Sequence, residues 1–578
     1  MEISKVDKKH VRLNEGFFQE RQKINLTGIK NIHERFLETG RFEALKQNWK
    51  EGQPNKPHVF YDSDVAKWIE SAAYVLMGQE DLELEKLCDQ YIDLIEARQE
   101  QNGYFNSYFS YLEPDKKWRY RTEHELYCAG HLIEAAIAYK KATQKEKFLD
   151  IVKKLADHIY QVFVIDKSAA FVTPGHEEIE LALYKLYKET NQKKYLELAK
   201  FFIDQRGQKP EPVYETVDNR YDQSHIPVRQ QQTAEGHSVR ALYLYSAMAD
   251  LGKEYNDQEL ITACKSIFEN IVNKRMYITG GVGSSHYGEA FTYDYDLPNL
   301  TAYAETCAAI ALIMFCDRMS EIELDSKYAD TIERALYNNV LAGVSLDGKS
   351  FFYENPLETD VKKYEFNQTC KVKQHLPILN RLEVFDCSCC PPNLTRLIAN
   401  IESLIYKKTK DGLIINQYIS SKADIDGVKI EQKSQLPWNA QTNINITSSK
   451  PVKIYLRIPY WAQKPLIKIN QKTYKNILKN GYLEAAIDGA NQIKVVFDMP
   501  VRLAFSHPKV RCNSGKAAVM RGPLVYCAES IDNPNIVLSD ARLDLSKKPR
   551  LVKGNLVKYD IIMPALIRQQ NELYSFKK

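Results

Sequence analysis

The chain has no block of charge of one sign. Lysine plus arginine (79) exceeds aspartate plus glutamate (75) by only four in 578 residues, so neither a nucleic-acid groove nor an anionic membrane surface is indicated. Long apolar runs are missing too: nothing approaches the roughly 18 consecutive apolar residues of a membrane span. Met1 to Leu13 lacks the apolar stretch of a secretion signal. A cytoplasmic protein with neither a nucleic-acid nor a membrane partner is expected. Glycine (24) and proline (22) are too sparse for a disordered or collagen-like chain. Cysteine is scarce as well, at eleven, and in a reducing compartment such thiols are free or metal-bound rather than bridged. What is abundant is tyrosine, 36 residues, whose ring offers both an apolar face and a hydroxyl and so suits sugar sites.

Strand-like alternation is almost absent between Asp64 and Lys408. Apolar residues recur instead at helical spacing, as in Leu84, Leu87, Cys88, Tyr91 and Ile95. Three segments open alike, at Gly130-His131, Gly175-His176 and Gly236-His237. Their spacing of about 45 to 60 residues predicts roughly six helix pairs over residues 1–408, which stack either as an open solenoid or, the preferred reading, as a closed toroid. After Lys408 the pattern changes to short alternating segments, Leu413–Ile419, Asn443–Thr447, Val452–Ile458, Gln492–Phe497 and Val519–Val525, broken by turn signals. Residues 409–578 are therefore expected to form a β-sandwich, jelly-roll-like region whose last module is weakly patterned. The fold class is α plus β, multidomain.

Seven cysteines, Cys88, Cys128, Cys264, Cys316, Cys370, Cys512 and Cys527, are scattered and read as small buried hydrophobes. Cys387, Cys389 and Cys390 are clustered, followed by Pro391-Pro392-Asn393 and a predicted helix Leu394–Tyr406. Two prolines at a helix start cost no hydrogen bond. The unpaired N–H groups and the dipole there favour thiolate, the form needed for metal binding and for nucleophilic attack. Glu305 and Cys307 head a second predicted helix, Tyr303–Met314; two positions apart, they converge only if that helix starts irregularly. Glu305, Cys307, Cys389 and Cys390 together would make a four-ligand set that zinc accepts. Packed thiols and a capping carboxylate remain the alternative on spacing alone. The glycine-rich loop Gly280–Gly288 ends in Glu289 and is no phosphate loop, since no Lys-Ser/Thr follows. Glu289 either lines a pocket or starts a helix. His124, His131, His176 and His237 recur near helix starts, which in a closed barrel point toward one end of the cavity.

Glu289, Glu305-x-Cys307 and Cys387-x-Cys389-Cys390-Pro-Pro-Asn, with supporting segments such as Tyr61–Trp68 and Asn355–Glu358, resemble glycoside hydrolase family 127, the β-L-arabinofuranosidases. The resemblance implies an (α/α)6 barrel over residues 1–408 followed by β-sandwich modules, zinc held by Glu305, Cys307, Cys389 and Cys390, Cys389 as nucleophile and Glu289 as acid/base. It further implies His124, His176 and His237 on the furanose hydroxyls, with His131 and His124 competing for one position. The implied activity is exo-acting and retaining, releasing L-arabinofuranose from a small glycoside or oligosaccharide; a homodimer is compatible with it. Two other readings stay open: a family member cleaving another furanose-like sugar, and a zinc-stabilised glycan-binding helical scaffold without catalysis.

Overall fold

The computed structural model describes residues 1–209, 218–360, 375–475, 478, 480–530, 533–535, 537–552 and 556–558. Cys370 and most of the weakly patterned C-terminal tail lie outside the described residues. Two short strands come first, β1 (Ile3–Lys5) and β2 (Val11–Leu13), and then the helices. In chain order these are α1 (Phe17–Glu38), α2 (Arg41–Ala44), α3 (Tyr61–Leu76), α4 (Leu82–Arg98), α5 (Glu125–Thr143), α6 (Lys147–Tyr160), α7 (Ile179–Thr190), α8 (Lys193–Gln205), α9 (Ser238–Tyr255), α10 (Gln258–Asn270), α11 (Thr306–Ile322), α12 (Ser326–Ala335) and α13 (Cys390–Ala399).

Burial sorts them into two rings. The outer helices are amphipathic: in α6 only Phe148, Leu149, Ile151, Val152, Leu155, Ala156 and Ile159 are buried, at the 3.6-residue period. The inner helix α5 is buried almost all round, from Glu125 to Tyr139. Each inner helix packs on the next, α3 on α5, α5 on α7, α7 on α9 and α9 on α11, and α13 touches both α11 and α3, so the ring closes. The sixth pair is not consecutive in sequence. The outer partner of α13 is α1, from the other end of the helical region, held by Asn25 Nδ2 donating to Thr395 O at 3.0 Å.

The remaining chain is β. Strands β3 (Tyr406–Thr409), β4 (Gly412–Ile415), β5 (Ser421–Ile425), β6 (Val428–Ser434), β7 (Gln441–Arg457), β8 (Gln463–Ile469), β9 (Lys472–Tyr474) and β10 (Tyr482–Asp498) join β1 and β2 in one ten-stranded sheet. Ile3–Lys5 and Val11–Leu13 thus belong to the sheet although they precede the helices. The segments Asn443–Thr447 and Val452–Ile458, expected as two strands, form one 17-residue strand, because β10 pairs along its whole length with a register shift between Ile487 and Gly489. Val519–Val525 is likewise a hairpin, β12 (Ala518–Arg521) to β13 (Leu524–Tyr526), turning at Gly522 beside β11 (Val501–Ala504). A last pair, β14 (Arg550–Val552) and β15 (Leu556–Lys558), stands alone. Buried Arg457 clamps the sheet onto α12 through Asp330 and Glu333, both at 2.5 Å. Among the described residues no helix is long and apolar enough to cross a membrane.

Four of the scattered cysteines, Cys88, Cys128, Cys264 and Cys316, are buried, but Cys512 and Cys527 are exposed. The expectation of small buried hydrophobes fails for these two because they lie on loops outside the barrel. Gly236 shows how tightly the inner helix starts are set. Its φ is +69°, and a Cβ there would stand 1.9 Å from Arg220 O. Gly236→Ala is expected to cost on the order of 3 kcal/mol, read as a fall in the thermal unfolding midpoint, and to displace the adjoining His237.

Candidate active site

Two inner helices aim their N-termini at one point. Glu305 is the N-cap of α11, with an extended backbone (φ −53°, ψ 138°), and Cys307 sits in its first turn. That break at the helix start lets residues two apart face the same way. Opposite, Cys389 is the N-cap of α13 and Cys390 opens it, with proline following at once. The expected helix Leu394–Tyr406 is shorter than its pattern suggested, giving way to a 3-10 turn at Ile401–Leu404 and then to β3. Ser388 pins the approach: it accepts from Phe385 N–H at 2.8 Å and donates to Phe385 O at 3.0 Å. Arg41, paired with Asp64, grips Phe385 O and Asp386 O, both at 2.9 Å.

The four side chains expected to meet do so. Cys307 Sγ lies 3.3 Å from Cys390 Sγ and 3.7 Å from Cys389 Sγ, and Cys389 and Cys390 are 3.8 Å apart. Glu305 Oε1 is 3.6 Å from Cys389 and 3.5 Å from Cys390. Tetrahedral zinc with bonds of about 2.3 Å to sulfur and about 2.1 Å to oxygen requires edges of about 3.8 Å and about 3.6 Å. The observed edges match within a few tenths of an ångström, and Glu305 Oε2 is buried without a hydrogen-bond partner. The cluster therefore fits a four-coordinate cation. Electrostatics agree: burial pushes the Glu305 carboxyl and the Cys390 thiol well up. Burial also acts to raise Cys307, but hydrogen bonds from Cys389, Cys390 and Asn393 outweigh it and bring that thiol down to about 7. A carboxylate and three thiolates this close together would need a positive charge among them. Cys387, expected to pack, is exposed, with Tyr353 Oη 3.9 Å away.

Glu289 ends a one-turn 3-10 helix, Tyr287–Glu289, with φ +51°. Ser238 Oγ donates to its carbonyl at 2.9 Å, and Ser285 and Ala290 close the turn with paired backbone bonds. Its carboxylate meets His237 Nε2 at 3.0 Å, and one oxygen each from Glu289 and Glu305 lies with a His237 nitrogen inside 4.8 Å. Val239 N–H donates to His237 Nδ1 at 3.2 Å, so neutral His237 carries its proton on Nε2 and gives that hydrogen bond to Glu289. Burial would raise Glu289, but His237, Arg240 and a hydrogen bond to Glu305 hold the carboxyl down, at about 2. Left-handed backbone also occurs at His124 (φ +63°) and at Ala304 (φ +41°), just before Glu305. Such strain persists only where neighbours over-determine it: Asn355 Nδ2 donates to Ala304 O at 2.9 Å, and Thr306 N–H to Tyr353 O at 2.9 Å.

Three of the four candidate histidines gather. His124 caps α5, His237 caps α9, and His176 stands just before α7, with ring centroids 5.7 Å (His124–His176) and 5.6 Å (His176–His237) apart. Burial lowers all three, with Arg240 adding to it at His124, which falls to about 3, and at His176. Neutral imidazoles suit neutral hydroxyls. His131 is not brought to this group. It lies two turns deeper in α5, fully buried beneath Tyr127 (4.5 Å), with Nδ1 3.3 Å from Glu178. Two site neighbours escaped the sequence analysis. Tyr353 places its hydroxyl 3.3 Å from Cys389 Sγ; its signal was its position two residues before the Asn355–Glu358 segment. Tyr127, against His176 at 4.1 Å, stands in the family-like segment His124-Glu125-Leu126-Tyr127, which gave it no role of its own.

Comparisons with known proteins agree along the whole chain. Residues 10–403 match the family model described as β-L-arabinofuranosidase, GH127 catalytic domain. Residues 412–501 match the GH127 middle domain and residues 501–565 the family 127 C-terminal domain. A non-reducing end β-L-arabinofuranosidase from Bifidobacterium longum subsp. longum is 39% identical over 509 residues, 82% of this chain and 76% of the relative. The crystal structure of a GH127 β-L-arabinofuranosidase from Geobacillus stearothermophilus T6 superposes with a TM-score of 0.92 at 41% identity, covering 98% of this chain and 95% of that one. A further solved GH127 β-arabinofuranosidase gives a TM-score of 0.84 at 33% identity, covering 97% and 94%.

Proposed function

The chain belongs to glycoside hydrolase family 127, and from that premise we propose that it is an exo-acting, retaining β-L-arabinofuranosidase. Its substrate is a glycoside or oligosaccharide ending in L-arabinofuranose. The observation that carries this reading is the Glu305, Cys307, Cys389 and Cys390 cluster, with Glu289 and three neutral histidines beside it. Catalysis is assigned to residues 1–408 and support of the barrel to residues 409–578.

Zinc bound by Glu305, Cys307, Cys389 and Cys390 would supply the positive charge that keeps these thiols deprotonated at neutral pH. The chain's own groups do the rest. His124, His176 and His237 hold the furanose hydroxyls. Cys389 Sγ attacks the anomeric carbon while Glu289 gives its proton to the departing oxygen, so a C–S bond forms as the C–O bond breaks. Tyr353 steadies the sulfur by its hydroxyl. Glu289, now a carboxylate, takes a proton from water, which displaces the sulfur and restores Cys389. Two inversions give net retention. In most glycosidases that act this way a second carboxylate is the nucleophile; here a thiolate takes its place.

Hydrolysis of an aryl β-L-arabinofuranoside tests the activity. It should exceed that of the α-anomer by orders of magnitude and release the β-sugar first, as NMR would record; an α-sugar as first product removes the retaining mechanism. Carefully reduced, untagged protein is expected to carry about one zinc per chain by elemental analysis. Metal-free protein would remove the centre from this account. The rival scaffold reading has one observation in its favour, that all four positions of the cluster are protein ligands, as in structural zinc sites. It leaves Glu289 and its left-handed backbone without a purpose, and it forecasts no turnover of either anomer.

A further inference from the structure

A run of buried polar groups in the barrel interior takes no part in the reaction described above. Its hub is Arg396 on α13, whose guanidinium meets four side chains. Nη1 donates to Glu70 Oε2 at 2.7 Å and to Glu134 Oε2 at 2.8 Å. Nη2 donates to Tyr243 Oη at 3.2 Å, and Nε to Asn393 Oδ1 at 2.7 Å. These partners come from α3, α5, α9 and the first turn of α13 itself. All of them are buried. A guanidinium is a flat, rigid set of donors. Held between two carboxylates and a hydroxyl, it cannot turn away from Asn393.

Asn393 is fully buried and follows Cys390 by three residues, so the two share a face of α13. Its backbone N–H closes on Cys389 O at 3.3 Å. The two ends of an amide have the same shape, and its partners decide which end is which. Arginine has no acceptor, so the end that Arg396 Nε meets is the oxygen. The NH2 end is left for the other two neighbours. One is Tyr243 Oη, at 3.4 Å from Nδ2. The other is the sulfur of Cys307, to which Asn393 is hydrogen-bonded. Cys307 Sγ in turn lies 3.3 Å from Cys390 Sγ. A hydrogen bond from outside the four-ligand set thus reaches one of its members, and the orientation of the donor is fixed from behind by a charged group.

Resting on the metal-centre reading above, we propose that Asn393 is a positioning residue of that centre: its amide, oriented by Arg396, donates an N–H···S hydrogen bond that holds Cys307 as a metal ligand. Such outer partners fix the direction of a ligand's lone pairs and tune its strength, the more so in a low-dielectric interior. The bond also separates the sulfurs by role. Cys307 is tied through Asn393 and Arg396 to Glu70 and Glu134 in the barrel interior. Cys389, the thiol that has to reach the sugar, is half-exposed and has the Tyr353 hydroxyl beside it. The anchored sulfur stays in place while the other moves.

The test uses two variants of the full-length protein. Asn393→Asp keeps the shape and the acceptor for Arg396 but presents an oxygen where the NH2 stood; Asn393→Ala removes both ends. In competition of Zn2+ against a chelator, both should bind Zn2+ roughly ten- to a hundred-fold more weakly than the unaltered protein, the scale of lost outer partners. With Co2+ in place of Zn2+, the sulfur-to-cobalt charge-transfer band should move to longer wavelength, because the lost hydrogen bond no longer lowers the sulfur lone pairs. A residue that only fills space would not move that band. A band that stays where it is in folded Asn393→Asp and Asn393→Ala overturns the proposal, as does unchanged zinc affinity in both. Failure of both variants to fold in the presence of Zn2+ would make Asn393 a packing residue and overturn it too. Absence of zinc binding in the unaltered protein is a different result, and removes the metal centre itself.

Discussion

Cys389→Gly is expected to lose on the order of 10⁴-fold or more in kcat, the largest effect of any single substitution in this chain. Cys389 is the half-exposed thiol of the three-sulfur set, whereas Cys390 and Cys307 are buried. It alone combines a place at the N-terminus of α13 with a hydroxyl, that of Tyr353, 3.3 Å from its sulfur. Removing Cys307 or Cys390 should also reduce activity, but through metal retention, so the loss should shrink when zinc is supplied in excess. The Cys389 loss should not. Azide separates nucleophile from ligand: in Cys389→Gly it can attack the anomeric carbon directly and yields an arabinosyl azide of inverted configuration. Cys387, exposed and outside the set, is the internal control, and Cys387→Ser should stay within a few-fold of the unaltered enzyme. Peptide mapping after an electrophilic furanose inhibitor should find the label on Cys389. Label on Cys387 or Cys390 alone, or full activity in metal-loaded Cys389→Ser, defeats the assignment.

Glu289→Ala should show a loss that depends on the leaving group. General acid catalysis is worth roughly 10²- to 10⁴-fold, and only a poor leaving group, such as a sugar alcohol, needs the proton. Dinitrophenyl arabinofuranoside should form the covalent intermediate almost normally and accumulate it, with azide rescuing turnover to the product of retained configuration. Equal losses on both substrates would reduce Glu289 to a binding role. Its environment adds a pH dependence. Against the pull of burial, His237 keeps the free carboxyl down at about 2, so the proton for the first step belongs to the Glu289–His237 pair rather than to one member. Burial places His237 below its usual 6.5, even though Glu289 pulls it up. The pair holds that proton at low pH and loses it as pH rises, on the acid side of 6.5. For poor leaving groups kcat/KM should therefore decline as pH rises through that range; a flat profile from about pH 5 to pH 8 contradicts general acid catalysis by this pair.

Local chemistry carries far in this chain. Helical periodicity up to about Lys408 and alternation beyond it separate barrel from sheet, because burial on one stripe of a helix or one face of a strand leaves its period in the residues themselves. Helix-end chemistry likewise marks Cys389-Cys390-Pro-Pro as an N-terminus with thiols on it, and Glu305-x-Cys307 as a start that must be irregular to be useful. Only the tertiary structure decides what depends on depth and on closure. His124 and His131 are seven residues apart, two turns of one helix, so periodicity puts both on the inner side of α5; the barrel's axis sets which reaches the cavity, and His131 ends beneath Tyr127. The sixth helix pair joins α1 to α13 across the whole helical region, a contact no local pattern records.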